Sequence, residues 1–474
     1  CSTILSTQDL FSSSLVNRFW CEVTVPILWG LPFCQTEYTN NSRLEKKALC
    51  IRTYISCLDV QARTLLSQNG FDLSSSPPQA TFDYPSFTHK FIINNLVNYI
   101  YIYSHQIDDL YDYYDRMSIP KSKILFSEIC KLIINRCAFL DEFKLVEVPK
   151  KFFEKFRNYS DLIGSILHLP GAREVFKSLE SFTSIIRNYE NYDLIYPLYG
   201  LLKFICNNIL NMDLSLVSIP QAQLLKELIS VQKRLENLSI VIVDVSLFQF
   251  QLPNLFWVIV SKNQTLKSLH LKSVLFDFER ESLEIVTGQF ILLQELYIDD
   301  CYGLDNFQCL SLASSFTQLT IFHYIHSHKN YAQSFIIKIL EMANTNLRNI
   351  YLKLQTIISK DILSAIFNFS TKVIKLTLYN LRKNYYADKL LKQMARNLPH
   401  SLETIMIKID HKDPWEFSAD SLRKLFEELY YNERGGNKKI IIKCEEGALI
   451  LSNDHYEVLE EYENCGVEFN LIWI

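Results

Sequence analysis

Between residues 235 and 409 the apolar positions return in one short phrase, Leu-x-x-Leu-x-Leu or a close variant, seven times. Its members are Leu235/Leu238/Ile240, Leu266/Leu269/Leu271, Leu293/Leu296/Ile298, Leu319/Phe322/Tyr324, Leu347/Ile350/Leu352, Val373/Leu376/Leu378 and Leu402/Ile405/Ile407. The first positions lie 31, 27, 26, 28, 26 and 29 residues apart. The second and third apolar positions are two apart, so on a strand both face one side while the residues between them point away. The first sits at the turn into the strand and closes the layer. Three such side chains contribute about 1.5–3 kcal/mol each, too little to offset the ordering entropy of a whole unit. Neighbouring units must therefore share a core and fold as a run.

A period near 28 residues suits a leucine-rich repeat, one inner strand plus one convex-side helix. An ordinary α/β domain with Leu-rich strands is the alternative, and the regular spacing counts against it. Looser copies of the phrase stand at Leu140/Phe143/Leu145, Leu179/Phe182/Ser184 and Leu214/Leu216, so the array is expected to begin near residue 120 with irregular members. Past residue 409 a helix over 418–431, the pair Gly435-Gly436, a strand over 439–442, an acidic helix over 457–463 and a strand over 467–471 read as the last repeats and cap. The fold class expected is α/β: a horseshoe solenoid with parallel inner strands and a helical convex side.

Upstream the pattern is helical. Residues 9–23 place Phe11, Leu15, Phe19 and Val23 four apart, with Val16 and Trp20 as a second row. Asp9 is the expected N-cap, and Pro26 is expected to open a second short helix carrying Ile27, Leu28 and Trp29. Residues 42–70 read as a further amphipathic helical unit ending at Gly70. The polar Ser-Ser-Ser-Pro-Pro run at 74–78 reads as a loop, and residues 87–114 as a helical, strongly aromatic stretch.

Asp9-Leu10, the run Leu15-Val16-Asn17-Arg18-Phe19-Trp20, and Pro26-Ile27-Leu28-Trp29 resemble the second half of an F-box. Their wording is similar to the expanded F-box-like proteins of arbuscular mycorrhizal fungi, in which leucine-rich repeats commonly follow. The family's opening Leu-Pro-x-Glu helix has no counterpart here. With Cys1 in place of an initiator methionine, the motif is expected to be N-terminally incomplete. The resemblance implies a small all-α segment over 1–35; the apolar patterning places a helical connecting region over 36–119 and the solenoid over 120–474. The resemblance also implies two partners, a Skp-type adaptor and a cullin scaffold, with Leu10, Leu15, Val16, Trp20, Ile27, Leu28 and Trp29 holding the adaptor.

Bulk composition narrows the rest. With 48% hydrophobic and 21% charged residues the chain is folded, not disordered. A formal net charge of −4 gives no electrostatic case for nucleic acid or an anionic membrane. The most apolar long stretch, 240–260, is interrupted by Asp244, Gln249, Gln251, Pro253 and Asn254 and does not read as a membrane span. Twelve cysteines without a C-x-x-C pair read as reduced thiols of a cytoplasmic or nuclear protein. Only 11 glycines occur, with neither dinucleotide-binding nor P-loop spacing, and no cofactor is expected.

The histidines of His323-x-x-His326-x-His328 lack a completing cysteine or carboxylate and read as surface histidines instead of a zinc site. Asp108, Asp109, Asp112 and Asp115 lack the turn glycine and closing glutamate of a calcium loop and read as a solvated helix face. No nucleophile or zinc-protease motif appears, so no catalytic residue is assigned.

The useful surface is combinatorial. The residue between the second and third apolar positions of each phrase should point outward on the strand face: Ser239, His270, Tyr297, His323, Tyr351, Thr377 and Met406. The next column holds Val241, Lys272, Asp299, Ile325, Lys353, Tyr379 and Lys408. Aromatic, Met and charged groups on a rigid face suit protein recognition. The expected partner-binding residues are His270, Lys272, Tyr297, Asp299, His323, Tyr351, Lys353, Tyr379 and Met406. The expectation is therefore a non-catalytic, substrate-recognition subunit of an SCF-type ubiquitin ligase. The alternative is a stand-alone repeat scaffold that binds proteins without the adaptor.

Overall fold

The computed structural model describes residues 7–33, 41–73, 80–107, 118–146, 160–185, 192–216, 219–243, 255–275, 290–304, 316–328, 331–343, 346–354, 358–369, 372–379, 401–409, 417–431, 438–444, 451–463 and 467–473, with Asp388, Leu391, Lys392, Met394, Ala395 and Pro399. The loop at 74–78, the aspartates between 108 and 115 and the Gly435-Gly436 pair lie outside the described residues. The chain divides into two compact units, Cys1–Leu235 and Glu236–Ile474. Both are α/β, with parallel strands that pair in the order in which they occur in the sequence, an arrangement compatible with a solenoid.

The first unit opens on α1 (Thr7–Ser14) and α2 (Arg18–Trp29). The helix expected over 9–23 is thus two helices. The Ser13 and Ser14 hydroxyls donate to the carbonyls of Asp9 and Phe11 at 2.8 and 2.6 Å, a local alternative to helix continuation. Asn17 then restarts the chain as an extended N-cap whose Oδ1 accepts from Trp20 N–H at 3.0 Å. Pro26 consequently falls inside α2 instead of opening a helix, and Asp9 lies in the first turn of α1 instead of capping it.

The 42–70 unit also divides, into α3 (Asn41–Ser56) and α4 (Val60–Gln68). Asp59 caps α4 by accepting from Ala62 N–H. Gly70, at φ +81°, ends it in a left-handed turn in which Phe71 N–H reaches Leu66 O and Gly70 N–H reaches Ser67 O.

The strand ladder starts earlier than residue 120. Strand β1 (Lys90–Ile92) precedes α5 (Ile93–Ile107) and α6 (Ser118–Arg136), then pairs with β2 (Glu142–Val146). Three residues are too few to leave a period-2 signature within a stretch that otherwise reads as helix. Helices α7 (Ser160–Ile166) and α8 (Ala172–Lys177) lead to β3 (Ser181–Ile185), and α9 (Tyr192–Ile205) to β4 (Asn211–Leu216). Helix α10 (Ile219–Val231) closes the unit.

Phe91, Phe143, Phe182 and Met212 are register partners. The Phe91–Phe143 and Phe143–Phe182 rings lie 6.0 and 6.2 Å apart, so phenylalanine does here what leucine does downstream. The third irregular phrase is Ile209/Met212/Leu214, two positions earlier than the Leu214/Leu216 pair predicts. Ile209 is fully buried, and Leu210 and Asn211 N–H both donate to Glu180 O, as Glu180 and Ser181 do to Asp141 O.

Gln232 ties this turn together. Its Oε1 accepts from Ile209 N–H at 2.9 Å, while Nε2 donates to Cys206 O and Leu228 O, each at 2.9 Å, and the residue is buried. Gln232→Ala strands these buried backbone groups and is expected to cost about 2 kcal/mol or more. A lowered urea midpoint with an unchanged slope is the expected readout; an unchanged midpoint would contradict it.

The second unit runs β5 (Asn237–Ile242), α11 (Leu255–Val260), β6 (Ser268–Lys272), β7 (Glu295–Asp299), β8 (Ile321–His326), α12 (Gln333–Ala343), β9 (Asn349–Leu354), α13 (Lys360–Phe369) and β10 (Lys375–Tyr379). It continues through β11 (Thr404–Ile409), α14 (Ala419–Tyr431), β12 (Lys438–Cys444), α15 (Asn453–Glu463) and β13 (Val467–Trp473), close to the elements expected past residue 409. Leu238, Leu269, Leu296, Phe322, Ile350, Leu376, Ile405, Ile440 and Phe469 are register partners across nine successive strands.

The first apolar position of each phrase, Leu266 through Leu402, is buried. The residue after it donates to its counterpart one strand back, as in Lys267 to Glu236 O, Gln294 to Lys267 O and Thr320 to Gln294 O. That hydrogen bond is why the phrase begins three residues before its strand pair. Tyr324 replaces a leucine in the core and meets its polar obligation by accepting from Ala332 N–H.

Cys301 follows the third phrase, buried, with its thiol directed at Leu271 O and Asp299 O. Burial pushes the thiol up to about 12. It should resist alkylation at mildly alkaline pH while the half-exposed Cys21 reacts, because the thiolate is the nucleophile. Mass-spectrometric mapping checks this, and early labelling of Cys301 in the folded protein would contradict it.

Candidate interaction surfaces

Two surfaces follow from this architecture, one on each unit. On the first, α1, the turn after it and α2 leave a row of large apolar side chains in solvent. Leu15 is 72% exposed, Phe19 68% and Trp20 44%, with Phe11, Val16, Val23, Ile27 and Leu31 also exposed. Phe19, Trp20, Val23 and Ile27 share one face of α2 by helical spacing, while Thr24 and Val25 bury the other. Patches of this kind on a folded protein mark interaction sites.

The residues expected to hold an adaptor divide accordingly. Leu15, Val16, Trp20 and Ile27 lie on the exposed face, and Leu10 and Leu28 are half-buried. Trp29 turns the other way: its ring lies 4.4 Å from that of Tyr84 and 5.8 Å from that of Tyr54. Phe19 and Val23 join the surface without having been assigned to it, although their place in the four-residue rows was readable.

On the second unit the predicted columns are register partners. Ser239, His270, Tyr297, His323, Tyr351, Thr377 and Met406 lie side by side, and so do Val241, Lys272, Asp299, Ile325, Lys353, Tyr379 and Lys408. Four rings form a continuous series, with centroids 5.7 Å apart for His270–Tyr297, 5.4 Å for Tyr297–His323 and 3.9 Å for His323–Tyr351. The Nε2 of His270 lies 3.3 Å from Asp299 Oδ2. Burial holds His323 below the usual histidine range; the Asp299 carboxylate opposes that shift and His270 adds to it. A neutral His323 ring among tyrosines is an aromatic contact surface more than a charge.

Lys272 is exposed and Met406 half-buried, whereas Thr377, between Tyr351 and Met406, is buried. The backbone of Tyr379 pairs with Lys353 in register; its side chain lies outside the described residues.

His326 is a correction to the surface reading of the histidine triplet. Along β8 alternate residues face the core, and His326 follows Phe322 and Tyr324 into it. Among the described residues no group of histidine, cysteine and carboxylate side chains is placed to hold a metal ion. Nor is any described helix long and apolar enough to cross a membrane. No protein-family model matches the chain, and no curated protein matches it in sequence.

Proposed function

We propose that the chain is the substrate-recognition subunit of an SCF-type cullin-RING ubiquitin ligase. Helices α1 and α2 serve as the F-box-like element that takes a Skp-type adaptor, and through it the cullin scaffold. The second unit is a leucine-rich-repeat horseshoe whose concave strand face takes a protein substrate. Catalysis belongs to other subunits, and this chain supplies proximity.

The observation that carries the reading is the uncovered apolar row on α1 and α2, on the same residues whose wording resembles an F-box. Register pairing of the phrase across β5–β13 supports the repeat assignment, since stacked repeats bury one shared core. The ring series from His270 to Tyr351 supports protein recognition, because aromatic anchors dominate such interfaces. The described cysteines are free, in keeping with a cytoplasmic or nuclear setting.

Co-purification of the tagged full chain tests the proposal. Recovery of a Skp-type adaptor together with a cullin is the expected result. Recovery of other proteins without any adaptor would replace it with a stand-alone repeat scaffold.

A further inference from the structure

On the outward strand face of the second unit one carboxylate lies between two imidazoles. Along β7 the half-buried outward positions are Glu295, Tyr297 and Asp299, while Leu296 and Ile298 are buried. His270 on β6 and His323 on β8 are both register partners of Tyr297, the ring two residues before Asp299 on the same face. The Asp299 side chain is 15% exposed and its Oδ2 lies 3.3 Å from His270 Nε2. Its Oδ1 is buried without a hydrogen-bond partner, and so is Nε2 of His323. Buried polar atoms are paired in the great majority of cases, so two unpaired ones on adjacent strands call for a cause.

Neither atom is open to a side chain arriving from outside; a proton is the ligand that reaches both. A neutral imidazole has one N–H and one lone pair, so the Nε2 edge of His323 is unmatched in either tautomer. Protonation turns that nitrogen into a charged donor in the field of the Asp299 carboxylate, where hydrogen bonds are stronger for the charge. We propose that His270, Asp299 and His323 form a proton-binding site within the recognition face. With the imidazoles neutral the ring series receives its partner; a proton taken from water charges the series and releases the partner. This regulation rests on the protein-recognition reading above.

Burial sets the direction of the effect. A partner that covers the half-buried His323 ring removes further water from it and favours the neutral form more strongly. The bound chain then holds fewer protons than the free chain, so acid weakens binding. Like charges on two imidazoles at one carboxylate repel, so the site takes one proton and not two. The other titratable neighbours are Lys272 on β6, Glu295 and Tyr297 on β7, and Tyr351 and Lys353 on β9. Lysine, tyrosine and glutamate ordinarily titrate outside about pH 5–7.5, which leaves histidine as the group that changes.

NMR titration of the full-length chain with carbon-13-labelled histidine rings tests the site, His323 being assigned by loss of its signal in His323→Phe. Its midpoint should lie below the ordinary histidine value. Asp299→Asn should lower it further and His270→Gln should raise it, opposite responses that loss of packing alone would not give. A His323 midpoint indifferent to Asp299→Asn would overturn the proposal.

Release is read with a peptide selected on the full-length chain at neutral pH from a phage-displayed library, free of His, Asp and Glu and sensitive to Tyr297→Ala. Its affinity should fall by about threefold or more between about pH 7.5 and about pH 5. His323→Phe keeps a ring that takes no proton and should flatten that ratio, whatever its affinity at neutral pH. Circular dichroism at both pH values excludes unfolding. Equal affinity at the two pH values, or a pH dependence unchanged by His323→Phe, would overturn the proposal while leaving protein recognition intact. Enrichment of no peptide at all would overturn the recognition reading and the release with it, while the NMR titration still decides the proton site.

Discussion

Leu296→Asp should collapse cooperative folding of the second unit. Leu296 is 3% exposed and lies in register between Leu269 and Phe322, so an aspartate there places a carboxylate among apolar side chains from three strands. No described polar group on that buried row could pair with it, and burial of an unpaired charge belongs to the small class of changes costing more than about 4 kcal/mol. Because each strand layer is completed by its neighbours, the damage passes to β6 and β8 instead of staying in β7. The circular-dichroism melt should fall by about 10 °C or more. Lys272→Ala, exposed on the adjacent strand, should stay within about 0.5 kcal/mol of the parent. Equal melts for Leu296→Asp and parent would mean that Leu296 does not face a shared core.

The second large effect concerns binding. Trp20→Ala should weaken capture of a Skp-type adaptor by about 2–4 kcal/mol, or about thirtyfold to a thousandfold, as expected of a central aromatic anchor. Its fold should be unaffected, since Trp20 is 44% exposed on α2. Trp29→Ala provides the contrast. Its ring packs on Tyr54 and Tyr84, so its loss should lower the melting temperature and reach the adaptor only through that damage. Titration calorimetry against purified adaptor separates the two. An unchanged affinity for Trp20→Ala would remove α1 and α2 from the adaptor interface.

The strand phrase was readable because its leucines recur at nearly constant spacing, and each of the seven later copies sits on the strand it predicts. Legibility faded where other residues do the same work. Ile209 and Met212 hide a phrase that a search for leucine places two residues late, and three-residue β1 vanishes into helical surroundings. At the N-terminus the apolar rows were plain, but their direction was not. Periodicity cannot say that Phe19 and Trp20 face solvent while Trp29 closes on Tyr54 and Tyr84, since that depends on where α3 and the 84–87 turn pack. The same limit applied to His326, whose burial follows from strand parity and not from its membership of a histidine triplet. The outward columns were legible one phrase at a time.

Consecutive strands of the second unit lie beside one another in the order of the chain, and distances between spin labels on their outward face measure that directly. Labels at Val241 and Lys353, four strand steps apart, should lie about 19 Å apart at the backbone, and labels at Val241 and Lys443, seven steps apart, about 34 Å apart. Separations that grow strand by strand in this way are the predicted result. A distance to Lys443 equal to or shorter than that to Lys353 would contradict it.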